Sequence, residues 1–187
     1  MSLETSEWLN TNCLIGFTDK RGEAWHYRAE DQGDETNHYP LAVPVADVMR
    51  RLFSWDAQVG EVHVEVTNPE TGFITDYPGD GRKAIIRPKG AFGKNDAGAI
   101  LGLFKSGYEV HQYREWLLDT VATLLDDDLS IGSAGLLKNG AVAWVSVEVP
   151  ETITTPEGVA FRPNLIATTS HDGSLASTFA MVVTVVV

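Results

Sequence analysis

The sequence predicts an α+β fold in which a mainly antiparallel sheet is combined with two principal amphipathic helices, at about residues 45–55 and 111–125. Three observations lead to this prediction. Strand-like segments outnumber helical ones, most of them follow one another directly, and an Asn139-Gly140 dipeptide joins two of them as a hairpin. We expect one domain over residues 1–187, because this length is typical of a single domain.

Composition and charge restrict the compartment and the partners. The chain has 14 basic and 26 acidic residues and a formal net charge of −12, which opposes nonspecific attraction to nucleic acids and anionic membranes. Cys13 is the only cysteine, so no intrachain disulfide can form, and the polar N-terminus lacks the pattern of a signal peptide. We therefore expect a cytoplasmic protein with no membrane partner and no cofactor.

The first half of the chain combines turn signals with one helical pattern. Residues 1–39 have no clear period and are predicted as short strands and loops. Apolar residues at helical spacing then predict the first helix, after Pro44. The sequences TNPETG and YPGDG are typical of turns, and the valines of the first strand are expected on one half-buried face. Four strands are predicted here, at 62–66, 73–77, 82–87 and 99–105.

The second half begins with the second helix and ends in strands. One apolar stripe predicts this helix, formed by Tyr113, Trp116, Leu117, Val121, Leu124 and Leu125. The run SAGLLKNGAVAWVSVEV predicts a hairpin with a two-residue type I′ turn at Asn139-Gly140. Two more strands are predicted at 165–169 and 179–187. The last of these is too short and too rich in valine for a membrane helix.

Basic residues are concentrated in one segment that contains no Asp or Glu, at positions 82–94. Cationic side chains can pair with phosphates while an aromatic ring stacks on a base, so the segment is a candidate nucleic-acid-binding site. A basic edge strand and a solvated loop would explain the same pattern, since charges protect sheet edges. The candidate residues are Arg82, Lys83, Arg87, Lys89, Phe92 and Lys94.

The polar sequence SHDGS at 170–174 is the second candidate site. Its imidazole and carboxylate could move a proton or bind a metal, and an acidic cluster before the hairpin could add ligands. However, adjacent residues do not by themselves form a catalytic triad, and Asp-Gly between strands is ordinary turn chemistry. The sequence therefore assigns no catalytic residue and no metal ligand. The candidates are His171, Asp172, Asp126, Asp127 and Asp128.

Several segments resemble the phage- and plasmid-type proteins grouped as domain of unknown function 932. They are GYEVHQYREW, SAGLLKNGAVAW, LIATTSHDGSLAS and the valine-rich end, and the N-terminal RGEAWHYRA and VADVMRRLFSW resemble actinobacteriophage members. The resemblance implies a phage, prophage or plasmid origin, and hence the cytoplasm of a host cell. In this family the chain continues after the valine strand, so the sequence is interpreted as a possible N-terminal part of a longer protein.

Three hypotheses about function stay open. The leading one is a noncatalytic protein of nucleic-acid transactions that binds or anneals single-stranded DNA, which fits the basic segment and, by analogy at the level of fold alone, phage annealing proteins. The second is a metal-dependent enzyme that uses the SHDGS turn. The third is a structural module that associates with itself or with a host protein.

Overall fold

The computed structural model describes residues 3–123, 130–148 and 152–186. These residues form two antiparallel sheets and short helices, which confirms the α+β class with a mainly antiparallel sheet. The strands are β1 (Cys13–Ile15), β2 (Gln58–Thr67), β3 (Ile74–Arg87), β4 (Ala99–Phe104), β5 (Ser130–Leu137), β6 (Val142–Glu148), β7 (Ile153–Thr154), β8 (Ala160–Ser170) and β9 (Thr178–Val186). The α-helices are α1 (Leu3–Asn12), α2 (Thr18–Arg21), α3 (Val45–Arg51) and α4 (Thr120–Ala122), and a π-helix spans Arg114–Asp119.

Helix α1 corrects the prediction of short strands and loops for the first residues. Its sequence has no continuous apolar stripe, which is why the helical period was not visible. The helix is instead held by individual tertiary contacts. Trp8 donates from Nε1 to the carbonyl oxygen of Leu136 at 2.7 Å, and Asn10 is buried and accepts from the backbone N–H of Arg28 at 3.1 Å.

Both predicted helices are shorter than expected. The first was predicted to extend to residue 55, but α3 ends at Arg51, and the chain then turns so that Phe53 and Trp55 enter the core. The second was predicted from residue 111, but the π-helix begins only at Arg114. The side chain of Gln112 instead pairs with both backbone groups of Ala57, at 2.8 and 3.0 Å. Leu124 and Leu125 lie outside the described residues.

The larger sheet is antiparallel in the order β1, β5, β6, β8, with β9 on the far side of β8 and the short β7 also paired with β8. Its inner face packs against α3 and the π-helix and forms the core, in which Leu14, Leu52, Leu117 and Val145 are fully buried. Trp144, Ser146 and Glu148 alternate with the inward residues of β6 and therefore lie on the opposite face.

The β5–β6 hairpin is present where Asn139-Gly140 predicts it. Asn139 (φ 58°, ψ 32°) and Gly140 (φ 89°) have the left-handed conformations of a type I′ turn, and the N–H of Ala141 donates to the carbonyl oxygen of Lys138 at 3.1 Å. Lys138 is left-handed too, at φ 47°. Strand pairing therefore ends one residue earlier than a two-residue loop implies, at Leu137 and Val142.

The smaller sheet has the order β2, β3, β4 and corrects a predicted turn. YPGDG lies inside the long strand β3, where Asp80 (φ 52°) and Gly81 (φ 67°) are left-handed and the register with β2 shifts between Glu61 and His63. These residues form a bulge, because the strand continues on both sides of them. Ile85 of β3 joins the common core. Among the described residues, no helix has the length and apolar character that a bilayer crossing requires.

Candidate nucleic-acid interface

Arg87, at the centre of the predicted basic segment, is a buried residue with an exposed side-chain fraction of only 2%. Its guanidinium pairs with the carboxylate of Asp96. It also donates to the carbonyl oxygen of Asn139 at 3.1 Å and to the side-chain oxygen of Asn139 at 3.2 Å, and it lies 4.2 Å from the centre of the Phe92 ring. Since these contacts compensate the buried charge, Arg87 stabilises the fold and is not a free phosphate ligand.

Asp96 and Phe92 complete this buried cluster, which we call the Arg87 cluster. Burial alone would raise the pKa of Asp96, but hydrogen bonds from Arg87 and from the backbone N–H groups of Gly98 and Phe92 hold that pKa below its usual value. The Phe92 ring packs edge-on against Trp8. Phe92 is therefore a core contact here and does not present a free ring to a base.

The other basic residues of the segment face solvent. Together with one lysine at the end of β4, they form a set that we call the rim cations. Lys83 is half-buried and the others are exposed, and none has a carboxylate within salt-bridge distance in the part of the chain that the structure describes. The rim cations form two groups. One group lies beside the bulge of β3, and the other lies in the β3–β4 connection. The rim cations are Arg82, Lys83, Lys89, Lys94 and Lys105.

A cleft of about 360 Å³ lies at the bulge of β3. Arg82 and Lys83 line it together with His63 and Ser106, and Glu61 contributes one carboxylate. A hydrogen bond to Asp76, at 3.0 Å, raises the pKa of His63 above its usual value. The bulge thus brings one titratable group, which the sequence analysis did not single out, next to two predicted cations.

The solvent-facing side of the smaller sheet, which we call the outer face, is apolar and has no carboxylate. Strand register places five large apolar side chains on it, and between 49% and 67% of each is exposed: Val64, Val66, Tyr77, Ile100 and Leu103. The acidic residues of β2 and their partner on β3 alternate to the other side. The valine alternation therefore marks an exposed face, not the half-buried one that we predicted.

The SHDGS sequence forms the turn between β8 and β9. The carboxylate of Asp172 accepts from the backbone N–H of Ser174 at 2.8 Å and from Nζ of Lys138 at 3.1 Å. Burial alone would raise the pKa of Asp172, but these hydrogen bonds lower it to about 2. Lys138 also donates to the hydroxyl of Ser174, at 3.0 Å. Asp172 thus links this turn to the β5–β6 turn.

His171 is a core residue and is only 1% exposed. Its ring stacks on Tyr113 with a centroid distance of 4.0 Å, and the hydroxyl of Tyr113 donates to the carbonyl oxygen of Gly140 at 2.9 Å. The buried Nε2 of His171 has no hydrogen-bond partner among the residues that the structure describes, and burial lowers the pKa of the imidazole to about 4. The ring is therefore neutral at physiological pH.

The candidate metal ligands do not form a site in the described residues. No group of three or more His, Cys, Asp or Glu side chains has the spacing to hold a metal ion in this part of the chain. Asp126, Asp127 and Asp128 lie outside the described residues. The side chain of Asp172 has Lys138 as its partner, and His171 is enclosed by aromatic rings, so the structure does not bring these two side chains into a shared metal site.

The second part of the chain is similar to a known family. Residues 100–187 match the family model described as domain of unknown function (DUF932). Over these residues, a little under half of its length, the chain is similar to this family. The DUF932 match includes the four segments that carried the resemblance from residue 107 onward, whereas RGEAWHYRA and VADVMRRLFSW precede it. No curated protein and no solved structure matches the chain.

The DUF932 match divides the candidate residues. It contains the β5–β6 hairpin, the SHDGS turn and Lys105, but four of the five rim cations and the bulge of β3 lie before residue 100. Sequence reasoning missed Tyr77, His63 and Lys105. The signal that could have indicated Tyr77 is the alternation of valines with charged residues in β2, because such a strand exposes an apolar face when nothing covers it.

Proposed function

We propose that the protein is a noncatalytic nucleic-acid-binding protein that holds single strands against the outer face of its smaller sheet. The rim cations contact the phosphates, and exposed aromatic rings stack on bases. The observation that carries the proposal is the local separation of charge. A chain with a net charge of −12 has here an apolar face without a carboxylate, and the five rim cations of the same sheet and its connections have no ion-pair partner in the described residues, although register places Lys83 on the opposite side, across from Glu61.

The aromatic contacts come from the distal half of β3 and the turn before it. Tyr77 is 53% exposed and lies on the outer face, and Phe73 is 74% exposed just before the strand. Stacking of a base on an aromatic ring contributes about 1–3 kcal/mol and depends little on sequence. In this proposal Tyr77 and Phe73, and not Phe92, are therefore the rings that stack on bases.

The overall negative charge reduces this affinity but does not prevent binding. At physiological salt, charges separated by more than about 8 Å are largely screened, so the cations next to a bound strand matter more than distant carboxylates. Release of counterions from a single strand gives a slope of about −0.7 per phosphate contact in log affinity against log salt. We expect weak binding at high salt and measurable binding at low salt.

Fluorescence anisotropy with a labelled oligodeoxythymidine tests the proposal. The double variant Arg82→Glu/Lys89→Glu should weaken binding at low salt and reduce the salt slope by about one unit or more. Tyr77→Ala should weaken binding and leave the salt slope unchanged, because it removes only stacking. The matched control is Lys20→Glu/Arg114→Glu, which reverses two exposed cations away from the smaller sheet. If the wild type does not bind at low salt, or if the control weakens binding equally, the proposal fails.

The exposed outer face also favours a second candidate function, self-association. Contiguous exposed apolar surface on a soluble protein commonly marks an interface, and two copies can bury these faces against each other without bringing carboxylates together. Light scattering at increasing protein concentration tests this candidate. We expect a mass that rises with concentration in the wild type and does not rise in Val64→Lys/Leu103→Lys. A strict monomer at the highest concentration would exclude self-association through this face.

A further inference from the structure

The larger sheet carries a groove on the face opposite α3 and the π-helix. Trp144, Ser146 and Glu148 of β6 line it, and Arg162 and Asn164 of β8 form its other side. The groove has a volume of about 360 Å³ and extends from β1 to β9. Sites for small molecules have volumes of about 300–1,000 Å³. This groove is thus large enough for a small ligand, and we call it the sheet groove.

Two glycines of β5 make room for the side chains of the sheet groove. A Cβ atom at Gly132 would overlap with the carboxylate of Glu148, and one at Gly135 would overlap with the ring of Trp144. Neither glycine has a positive φ, so the backbone there could accept another residue. The space for Glu148 and Trp144 is what requires glycine. The two glycines of β5 therefore leave the space that the side chains of Glu148 and Trp144 occupy.

Among the described residues, the charges in the sheet groove leave one guanidinium without a counterion. The side chain of Glu148 is 5% exposed and accepts from both terminal nitrogens of Arg21, at 2.8 and 2.5 Å. Arg162 donates from Nε to the hydroxyl of Thr152 at 3.2 Å, and no carboxylate of the described residues pairs with it. One negative and two positive side chains thus give the lining a local charge of about +1 in a strongly acidic protein.

Neutral polar side chains also line the sheet groove. The amide nitrogen of Asn164 donates to the carbonyl oxygen of Arg162 at 3.2 Å and to the hydroxyl of Thr184 at 3.1 Å, which fixes the orientation of the side chain. Its oxygen accepts no hydrogen bond from the residues that the structure describes. Ser146 and Asn164 are each only 8% exposed, so a ligand that reached them would find largely dehydrated partners.

We propose that the sheet groove binds a small anion that carries a planar ring. The anionic group pairs with Arg162, whose planar guanidinium matches carboxylates and phosphates, and the ring lies against the indole of Trp144. Asn164 and Ser146 hydrogen-bond to polar atoms of the ring. A nucleoside monophosphate and an aromatic carboxylate share this chemistry. The site is on the other sheet from the outer face, so it does not depend on the proposed binding of single strands.

Ligand-observed NMR and calorimetry on the full chain test the site with two probes, adenosine monophosphate and salicylate. Adenosine and inorganic phosphate serve as the two halves of the first probe. We expect saturable binding of at least one of the two ring-bearing anions, and binding at least about tenfold weaker for adenosine or phosphate alone, because each half engages only one side of the groove.

Two variants assign the binding to the sheet groove. Arg162→Gln keeps a polar side chain and should weaken binding of the probe by about tenfold or more. It removes the cation that has no ion-pair partner among the described residues. Trp144→Leu should weaken it as well, and circular dichroism shows whether this variant is folded. Arg114→Gln, an exposed arginine at the start of the π-helix, is the matched control and should bind normally. The inference is overturned if neither anion binds saturably up to about 10 mM, or if Arg162→Gln binds as well as the control.

Discussion

The Arg87 cluster and the rim cations come from the same basic segment, yet they have opposite environments. The guanidinium of Arg87 is 2% exposed and is occupied by Asp96, Asn139 and the Phe92 ring. Arg82 and Lys89, which lie five residues before Arg87 and two residues after it, are exposed and have no ion-pair partner in the described part of the chain. One basic segment of a sequence can therefore contribute residues both to the interior and to the surface of the fold.

The physical cause of this difference is the position of each residue relative to the common core. Ile85 and Arg87 lie on the inner side of β3, towards the larger sheet. An unpaired charge there would be energetically unfavourable, and Asp96 is the counterion of Arg87. Residues beside the bulge and in the β3–β4 connection remain in water and need no partner. We therefore expect substitutions in the Arg87 cluster to change stability and substitutions of the rim cations to change binding.

The largest expected effect is the loss of Arg87. Arg87→Met should lower the free energy of unfolding by on the order of 3 kcal/mol, because it leaves the Asp96 carboxylate without its counterion in a mostly buried position. Urea denaturation followed by circular dichroism measures the change. Lys89→Met is the matched control, and it should stay within about 0.5 kcal/mol of the wild type.

A double variant sharpens this prediction. Arg87→Met/Asp96→Asn removes both charges, so it should recover part of the stability that the single variant loses. Equal stability of Arg87→Met and Lys89→Met would mean that the Arg87 cluster is solvated in solution, and the contrast between the two parts of the basic segment would then disappear.

The next largest effect concerns the pH dependence of stability, where buried His171 contrasts with exposed His63. Burial lowers the pKa of His171 from 6.5 to about 4, so between these pH values the unfolded chain binds a proton that the folded chain does not. The stabilisation is complete above pH 6.5 and is lost as the pH falls towards 4, by about 3 kcal/mol in total. His171→Phe should flatten this decline in urea denaturation at several pH values.

His63 gives a control of opposite sign. Its pKa is raised by Asp76, so its contribution to stability is present at low pH and is lost as the pH rises through the raised pKa. His63 is exposed on the smaller sheet, and His63→Phe should leave the acid-side decline in place. A decline that is unchanged in His171→Phe would contradict the assignment. His26 and His38, whose pKa values burial also lowers, would then be the groups to test.

The sequence predicted the parts of the fold that depend on local patterns. The Asn139-Gly140 turn was predicted because these two residues adopt left-handed conformations readily, and the alternating strands of the larger sheet were predicted from their own period. Helix α1 was missed because contacts such as that between Trp8 and Leu136 stabilise it, and these involve residues far apart in sequence. YPGDG was predicted as a turn because a bulge uses the same residues as a turn.

The candidate site was predicted less completely than the fold, because burial decides the role of a polar residue. The composition of the basic segment does not distinguish Arg87 from Arg82. That distinction depends on Asp96 and Asn139, which form the pocket around the guanidinium only after folding. The sheet groove was not predicted for the same reason, since Arg21, Glu148 and Arg162 are widely separated in the sequence.

The smallest expected effect compares two acidic residues that have different surroundings. The carboxylate of Asp172 is 18% exposed and joins two turns through Ser174 and Lys138, so Asp172→Ala should cost about 1–2 kcal/mol. Asp172→Asn should cost less, since its oxygen can still accept the hydrogen bond from the N–H of Ser174. Asp76 is 55% exposed and pairs only with His63 among the described residues, so Asp76→Ala should show no resolvable loss in urea denaturation. If Asp76→Ala costs as much as Asp172→Ala, the smaller sheet depends on its surface pairs, and the distinction between a structural interior and a free surface does not extend to this sheet.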